Sequence, residues 1–255
     1  LEAKGYKFKT QTDTEVILVL YAEYGEKSFS MLRGMFSFGL WDAEKHKLFL
    51  VKDRYGIKPL YYYGDNEKLV FASTVKALES SGIISIQKNP DAYIGFLLFG
   101  SVPLPMTTIK NIFAVPAGHY LVRETDGNQK LVRYYDPLKF YQHQSLPAGR
   151  QEPKIPARRS LSEGGSINQC VEKTRNLLED SVRHHLISDA PLGVFLSGGL
   201  DSSAIAALSA KALREGGFYR KITTLSVIFD EKEFSEEYYS DLVAKKIKSD
   251  HRKIK

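Results

Sequence analysis

Apolar positions fall into two rhythms along the chain. In the first half they come as short runs separated by turn-forming clusters. In the second half they come as longer stretches at helical spacing. Near the start, Thr12 and Glu15 have capping-box spacing, and Glu15–Tyr24 follows with Val16, Leu20 and Tyr24 on one face, which predicts a helix. Gly34–Trp41, Lys47–Val51, Leu60–Tyr63 and Lys68–Ala72 read as strands. Turn clusters at Asp42–His46 and Gly64–Glu67 divide them, the rhythm of antiparallel strands joined by hairpins. Their alternation is imperfect, as in strands covered on both faces. Asn89-Pro90-Asp91 starts a further helix, Ala92–Phe99, and Val102–Thr108 reads as a loop. Gly118–Arg123 and Lys130–Tyr135 read as two more strands.

The pattern then breaks. Residues 139–165 hold Pro147, Pro153 and Pro156, several Gly and Ser, and few large apolar groups, so they read as a linker or insertion. This divides the chain into 1–138, 139–165 and 166–255. In the last part, Ile167, Cys170, Val171, Thr174, Leu177, Leu178, Ser181, Val182 and His185 recur at helical spacing. Cys170 falls on that stripe and reads as a small buried packing residue, not a nucleophile. His184 and His185 close the helix, where a cation suits the dipole. Gly193–Leu196 is a continuous apolar run that suits a central parallel strand. A helix at Ser202–Glu215, a strand at Lys221–Phe229 and a helix at Ser235–Ile247 complete a strand–helix order that implies a parallel sheet with helices on its faces.

Composition narrows the classes. The chain has 255 residues, 43% hydrophobic and 26% charged, which is ordinary for a globular protein of one or two domains. No apolar run approaches the roughly 18 residues needed to span a bilayer, and no secretory signal pattern opens the chain. A single cysteine excludes an internal disulfide framework and fits a reducing cytoplasm. The net charge of +6 is spread out, with no basic stripe interleaved with aromatics, so nucleic acid is not the expected partner. The chain begins at Leu1 and stops soon after a strand and a helix, and so reads as a piece lacking both ends.

The densest chemistry lies in Ser197-Gly198-Gly199-Leu200-Asp201-Ser202-Ser203. Two glycines after an apolar strand allow a sharp turn and a close approach of phosphate oxygens. The helix start behind them offers free N–H groups and a favourable dipole. Ser197, Ser202 and Ser203 add hydroxyl donors. Asp201 beside phosphates is repelled unless it holds Mg²⁺, which would bridge to the pyrophosphate. The Gly-Lys-Ser/Thr ending of a Walker A loop is absent. The plainer reading of a bare Gly-Gly-x-Asp is a helix N-cap, and the full string argues against it.

That string resembles the signature of N-type ATP pyrophosphatases, which include asparagine, argininosuccinate and GMP synthetases. His185–Leu196 is similar to the approach to this loop in asparagine synthetases. Phe8–Leu18, Leu32–Trp41, Lys52–Tyr62 and Pro116-Ala117-Gly118-His119 resemble the later part of their class II glutamine amidotransferase domain. The resemblance covers nearly the whole chain outside 139–165. It implies an antiparallel-sheet amidotransferase domain of the N-terminal nucleophile hydrolase kind, followed by a parallel-sheet ATP pyrophosphatase domain.

In that family glutamine is hydrolysed to ammonia by an N-terminal cysteine. Aspartate is activated as β-aspartyl-AMP, and ammonia displaces AMP to give asparagine. The resemblance implies glutamine, aspartate and ATP as substrates, Mg²⁺ as cofactor, and allows a homodimer. The cysteine has no counterpart here, so residues 1–255 alone are expected to be inactive. Asp13 matches the aspartate that receives the α-amino group of glutamine. Asp53 and Arg54 sit in a matched block and read as a turn held by their salt bridge. Ser197, Gly198, Gly199, Asp201 and Ser202 carry over as pyrophosphate contacts, with Asp201 on Mg²⁺. Phe195 or Leu196, and Val227 on the next strand, carry over beside the adenosine. Two other readings stay open: a relative that amidates another carboxylate, and a non-catalytic nucleotide-binding protein.

Overall fold

The computed structural model describes residues 1–140, 167–216, 221–229 and 236–255. The chain divides into two compact units, Leu1–Arg150 and Gln151–Lys255. The expected linker at 139–165 lies outside the described residues apart from its first two, which end a short 3-10 helix, Pro137–Phe140.

In the first unit, helix α1 is Asp13–Tyr24. Strands β1 (Ser37–Asp42), β2 (Lys47–Lys52), β3 (Tyr61–Gly64) and β4 (Leu69–Ala72) follow, then α2 (Val75–Ser80), α3 (Pro90–Phe99), β5 (Ile112–Ala114), β6 (His119–Glu124) and β7 (Gln129–Arg133). The strands make two antiparallel sheets, ordered β1-β2-β6-β7 and β4-β3-β5.

Strand alternation assigns the layers. Phe49, Val51 and Tyr120 point to one face of the larger sheet and pack with Tyr21 of α1, Phe29 and Leu40. Leu50 and Leu121, one residue out of phase, point to the other face and pack with Leu60 and Val115, joined by Tyr62 of β3. Tyr61 and Tyr63 leave β3 on its far side, toward Leu78 of α2, Ile109 and Ile112. The order is therefore helix, sheet, sheet, helix. Both sheets are covered on both faces, which is why β2, β3, β4 and β5 carry apolar residues at most positions. Phe29 sits at the centre of the first layer, with ring centroids of Tyr120 at 5.1 Å, Phe49 at 5.6 Å and Tyr21 at 5.9 Å. Offset and edge contacts at such distances add to what burial alone contributes.

The expected face of the first helix is corrected by one position. Leu20 and Tyr21 are buried, with Ile17 packed against the cluster, whereas Val16 is exposed. Residues 17, 20 and 21 form the i, i+3, i+4 stripe that meets the sheet.

The second unit holds α4 (Ile167–His185), β8 (Gly193–Phe195), α5 (Leu200–Glu215), β9 (Thr223–Val227), α6 (Glu237–Ile247) and β10 (Asp250–Ile254). Its three strands are parallel in the order β10-β9-β8. Among the described residues β9 is therefore central and β8 an edge, contrary to the expectation for the Gly193 run. Leu196, Ala206, Ala210, Ile222, Ala244 and Ile247 form one core, so α5 and α6 share a single face of the sheet.

The reading of Cys170 as buried also fails. No residue of α4 is buried among the described residues, and Cys170 is exposed. Helix α4 meets α5 through polar groups, Glu179 with Lys211 at 2.7 Å and Arg183 with Glu215, while Ile167, Val171, Leu177 and Leu178 stay exposed. His184 and His185 turn Nδ1 onto the carbonyls of Asp180 and Ser181, at 2.7 and 2.8 Å, and so finish the helix.

Candidate functional site

The site in the second unit is built where β8 stops. The N–H of Leu196 donates to the Leu225 carbonyl at 2.7 Å, the last ladder bond between β8 and β9. The Leu196 side chain is 1% exposed and lies in the core. The Leu196 carbonyl accepts from the Ser226 hydroxyl. Leu196 thus has no side-chain surface to offer a nucleotide, and its main-chain groups are occupied. Phe195 is 74% exposed and Val227, the last residue of β9, is 52% exposed. Phe195 pairs with Leu225. By alternation Phe195, Leu225 and Val227 share the sheet face that α5 and α6 leave open, beside the turn.

The turn itself is ordered by hydroxyls. The Ser197 N–H donates to Ser202 Oγ at 3.3 Å, and the two serine oxygens lie 3.0 Å apart. The Gly199 N–H donates to Ser197 Oγ, and Ser202 Oγ donates to the Gly199 carbonyl, both at 3.3 Å. Gly199 is the N-cap of α5 and has no side chain to cap it. The N–H groups of Leu200, Asp201 and Ser202 have no intrahelical acceptor by position, so a 16-residue helix presents donors and the positive end of its dipole here. A cap with no carboxylate of its own leaves these donors for an incoming anion.

Gly198 is held at φ +83°, in the left-handed region. A Cβ there would lie 2.5 Å from Tyr239 Cβ and 2.7 Å from the Ser240 nitrogen. The first turn of α6 therefore forms the back of the loop, and glycine is required both by conformation and by space. The sequence reading did not find Tyr239 and Ser240. A Gly-Gly pair says that something approaches closely, but not what. It also passed over Ser226, although a hydroxyl in an apolar strand was a usable signal.

Asp201 stands exposed in the first turn of α5. Among the described residues no three His, Cys, Asp or Glu side chains converge as a metal cage. The exposed Asp201 carboxylate is a group that could hold a cation such as Mg²⁺, which takes one or two carboxylates and keeps several of its waters. The site residues predicted from sequence in this unit lie around the carboxyl ends of β8 and β9, with the Leu196 side chain buried.

In the first unit Asp13 opens α1. The capping role belongs to its neighbour, since Thr12 Oγ1 accepts the Glu15 N–H at 3.4 Å. Glu15 in turn accepts from the N–H groups of Lys9 at 2.8 Å and Thr10 at 2.6 Å. The Asp13 carboxylate is left exposed at the helix start. Asp53 and Arg54 do not form the expected salt bridge. Asp53 is fully buried, with Oδ1 accepting from the N–H of Tyr55 (3.0 Å) and Ile57 (3.1 Å) and Oδ2 from Lys58 (3.0 Å). Arg54 leaves in another direction, donating to the Ser30 carbonyl at 2.7 Å and lying over the Tyr135 ring. Successive side chains diverge here because the carboxylate already closes the turn with main-chain donors. No helix among the described residues is long and apolar enough to cross a membrane.

Two family models match. Residues 1–135 match the glutamine amidotransferase domain, and residues 173–255 match asparagine synthase. Among curated proteins the chain is 35% identical over 237 residues to asparagine synthetase [glutamine-hydrolyzing] 1 of Bacillus subtilis (strain 168), covering 92% of this chain and 33% of that one. It is 32% identical over 245 residues to putative asparagine synthetase [glutamine-hydrolyzing] 2 of Methanocaldococcus jannaschii, covering 95% and 43%. It is also 31% identical over 218 residues to amidase chry2 of Gibberella zeae, covering 84% and 29%. The chain spans less than half the length of each of these relatives.

Proposed function

We propose, for a chain that belongs to the asparagine synthetase family, that it is part of a glutamine-hydrolysing asparagine synthase: an ATP-dependent ligase that amidates aspartate with ammonia drawn from glutamine. The observation that carries this reading is the Ser197–Ser203 turn. Main-chain and hydroxyl donors converge there at a helix start, at the carboxyl end of a parallel sheet, in a chain that also carries an amidotransferase domain. Such a place binds a pyrophosphate.

The roles assigned to the residues of the site are part of this proposal. The N–H groups opening α5 and the hydroxyls of Ser197 and Ser202 hold the β and γ phosphates. Phe195 and Val227 offer apolar surface beside them for the adenosine. Asp201 would hold Mg²⁺, which supplies positive charge against the departing pyrophosphate. The aspartate side-chain carboxylate attacks the α-phosphorus, pyrophosphate leaves, and β-aspartyl-AMP forms. Ammonia then adds to the acyl carbon and AMP leaves with the electron pair. Adenylation is needed because a free carboxylate is a poor acyl donor. On the amidotransferase side, Asp13 accepts the α-amino group of glutamine. The helix–sheet–sheet–helix order of the first unit fits an N-terminal nucleophile hydrolase fold, and the domains run 1–138 and 166–255 about the insertion.

A second reading, a related synthetase acting on another carboxylate, draws on the similarity to a protein named as an amidase. The test of the shared core is calorimetric titration of MgATP into residues 1–255 and into Asp201→Ala. Binding by the wild type, weakened about tenfold or more in the variant, is expected. No binding, or equal binding by both, overturns the reading.

A further inference from the structure

We propose that Ser226 is a positioning residue for the nucleotide loop: by donating to the Leu196 carbonyl it fixes the peptide plane from which Ser197 and Gly198 turn. The inference rests on the reading of that loop as a pyrophosphate site. It goes further by assigning a role to a residue of the neighbouring strand that touches no ligand.

The argument is one of registers. Phe195 faces Leu225 in the parallel pair, so Leu196 faces Ser226. In a parallel ladder the Leu196 N–H donates to the Leu225 carbonyl, and it does so at 2.7 Å. Its carbonyl would then take the N–H of Val227 and carry the ladder onward. The donor that the structure gives this carbonyl is the side chain of Ser226. Ser226 is buried, and so is Leu196. The hydroxyl reaches the carbonyl from its own register position, where the chain must stop being a strand. The other half of the same peptide plane is fixed too, since the Ser197 N–H donates to Ser202 Oγ at 3.3 Å. One plane is thus held by a hydroxyl from β9 and a hydroxyl from α5, with the left-handed Gly198 immediately after it. Freed of Ser226, the plane can rotate, and the donors that follow lose their common aim.

Strand β9 also supplies a control. Thr224 lies two residues earlier on the same face and is fully buried. Its Oγ1 lies 2.8 Å from Ser249 Oγ and 2.9 Å from His251 Nδ1. Those partners belong to the β10 side. Thr224 is therefore an equally buried, bonded hydroxyl that has no bond to the loop. Removing either hydroxyl strands a buried partner and lowers stability, but only Ser226 should alter nucleotide binding.

The experiment titrates MgATP calorimetrically into residues 1–255 as wild type, Ser226→Ala, Ser226→Thr, Ser226→Cys, Thr224→Val and Asp201→Ala, each with a thermal melt. Ser226→Ala is expected to bind about tenfold more weakly. Ser226→Thr, which keeps the donor, should recover most of that loss, and Ser226→Cys, a weak donor, should fall between. Thr224→Val should melt lower yet bind MgATP like the wild type. The cysteine and threonine variants carry the test if the alanine variant does not fold. Wild-type affinity in Ser226→Ala or Ser226→Cys, or an equal loss in Thr224→Val, overturns the proposal. A wild type that takes up no MgATP overturns the loop reading with it. Loss in Asp201→Ala alone leaves that reading standing and removes Ser226 from it.

Discussion

Asp53→Ala should cost the first unit about 3 kcal/mol of stability, and Asp53→Asn about 1 kcal/mol. The carboxylate is fully buried and accepts three main-chain N–H groups at 3.0, 3.1 and 3.0 Å. Deleting it strands all three donors, each worth roughly 1–3 kcal/mol when left unpaired. The lower end applies, because Tyr55, Ile57 and Lys58 are themselves exposed and water can reach part of the turn. Asparagine keeps an oxygen at the Oδ1 position for Tyr55 and Ile57, and turns its amide toward Lys58, where one bond is lost. The turn also ties distant segments, since the Asp53 N–H donates to Phe36 at 2.9 Å and its carbonyl accepts from Gly118 at 2.8 Å. The assay is equilibrium urea unfolding followed by fluorescence of Trp41, the single tryptophan, which lies in β1 and so reports on this unit. An alanine variant losing less than about 1 kcal/mol, or an asparagine variant as unstable as alanine, would refute the reasoning.

Two further outcomes are expected. The Lys45 N–H, and then the Tyr21 hydroxyl, hold the Asp42 carboxyl down to about 2. An unfolded aspartate sits near 3.9, so this contribution is complete above about pH 4 and is lost as pH falls toward 2. Acid unfolding curves of Asp42→Asn should therefore be flatter than wild type across that interval, and identical slopes would rule out the assignment. Cys170, the only thiol, is exposed on α4, so maleimide should label the native chain fully and quickly. Protection of the thiol would contradict this expectation.

How much of this was legible in the sequence depended on the range of the interactions. The start of α1 was readable because a cap involves residues three apart, and Thr12 with Glu15 carries it. The long strands were readable from apolar runs, whereas β5, of three residues, and α2, of six, were too short to make a pattern. Strand β10 was missed because Asp250–Ile254 is mostly polar, and only its parallel pairing with β9 makes it a strand. The loop was visible because its chemistry is contiguous. What backs it was not, since Tyr239 and Ser226 reach it from elsewhere in the chain. The stripe carrying Cys170 misled for a related reason. Periodicity shows that a helix has an apolar side, but not that anything packs there. For Asp53 and Arg54, adjacency in sequence suggested a pair, and burial gave the carboxylate to the backbone instead.

The two-sided packing of β2 has a consequence for how this chain can change in length. Phe49 and Val51 serve one layer, Leu48 and Leu50 the other. One residue inserted or deleted inside the strand would trade these sets and spoil both layers together. The β1–β2 connection is scarcely more permissive, because Asp42 bonds the N–H groups of Glu44 at 3.0 Å and Lys45 at 2.9 Å, and His46 takes a positive φ. Added or lost residues in this half should therefore be tolerated only in the outer connections, and a scan of single-codon insertions would trace the sheet as a continuous intolerant tract.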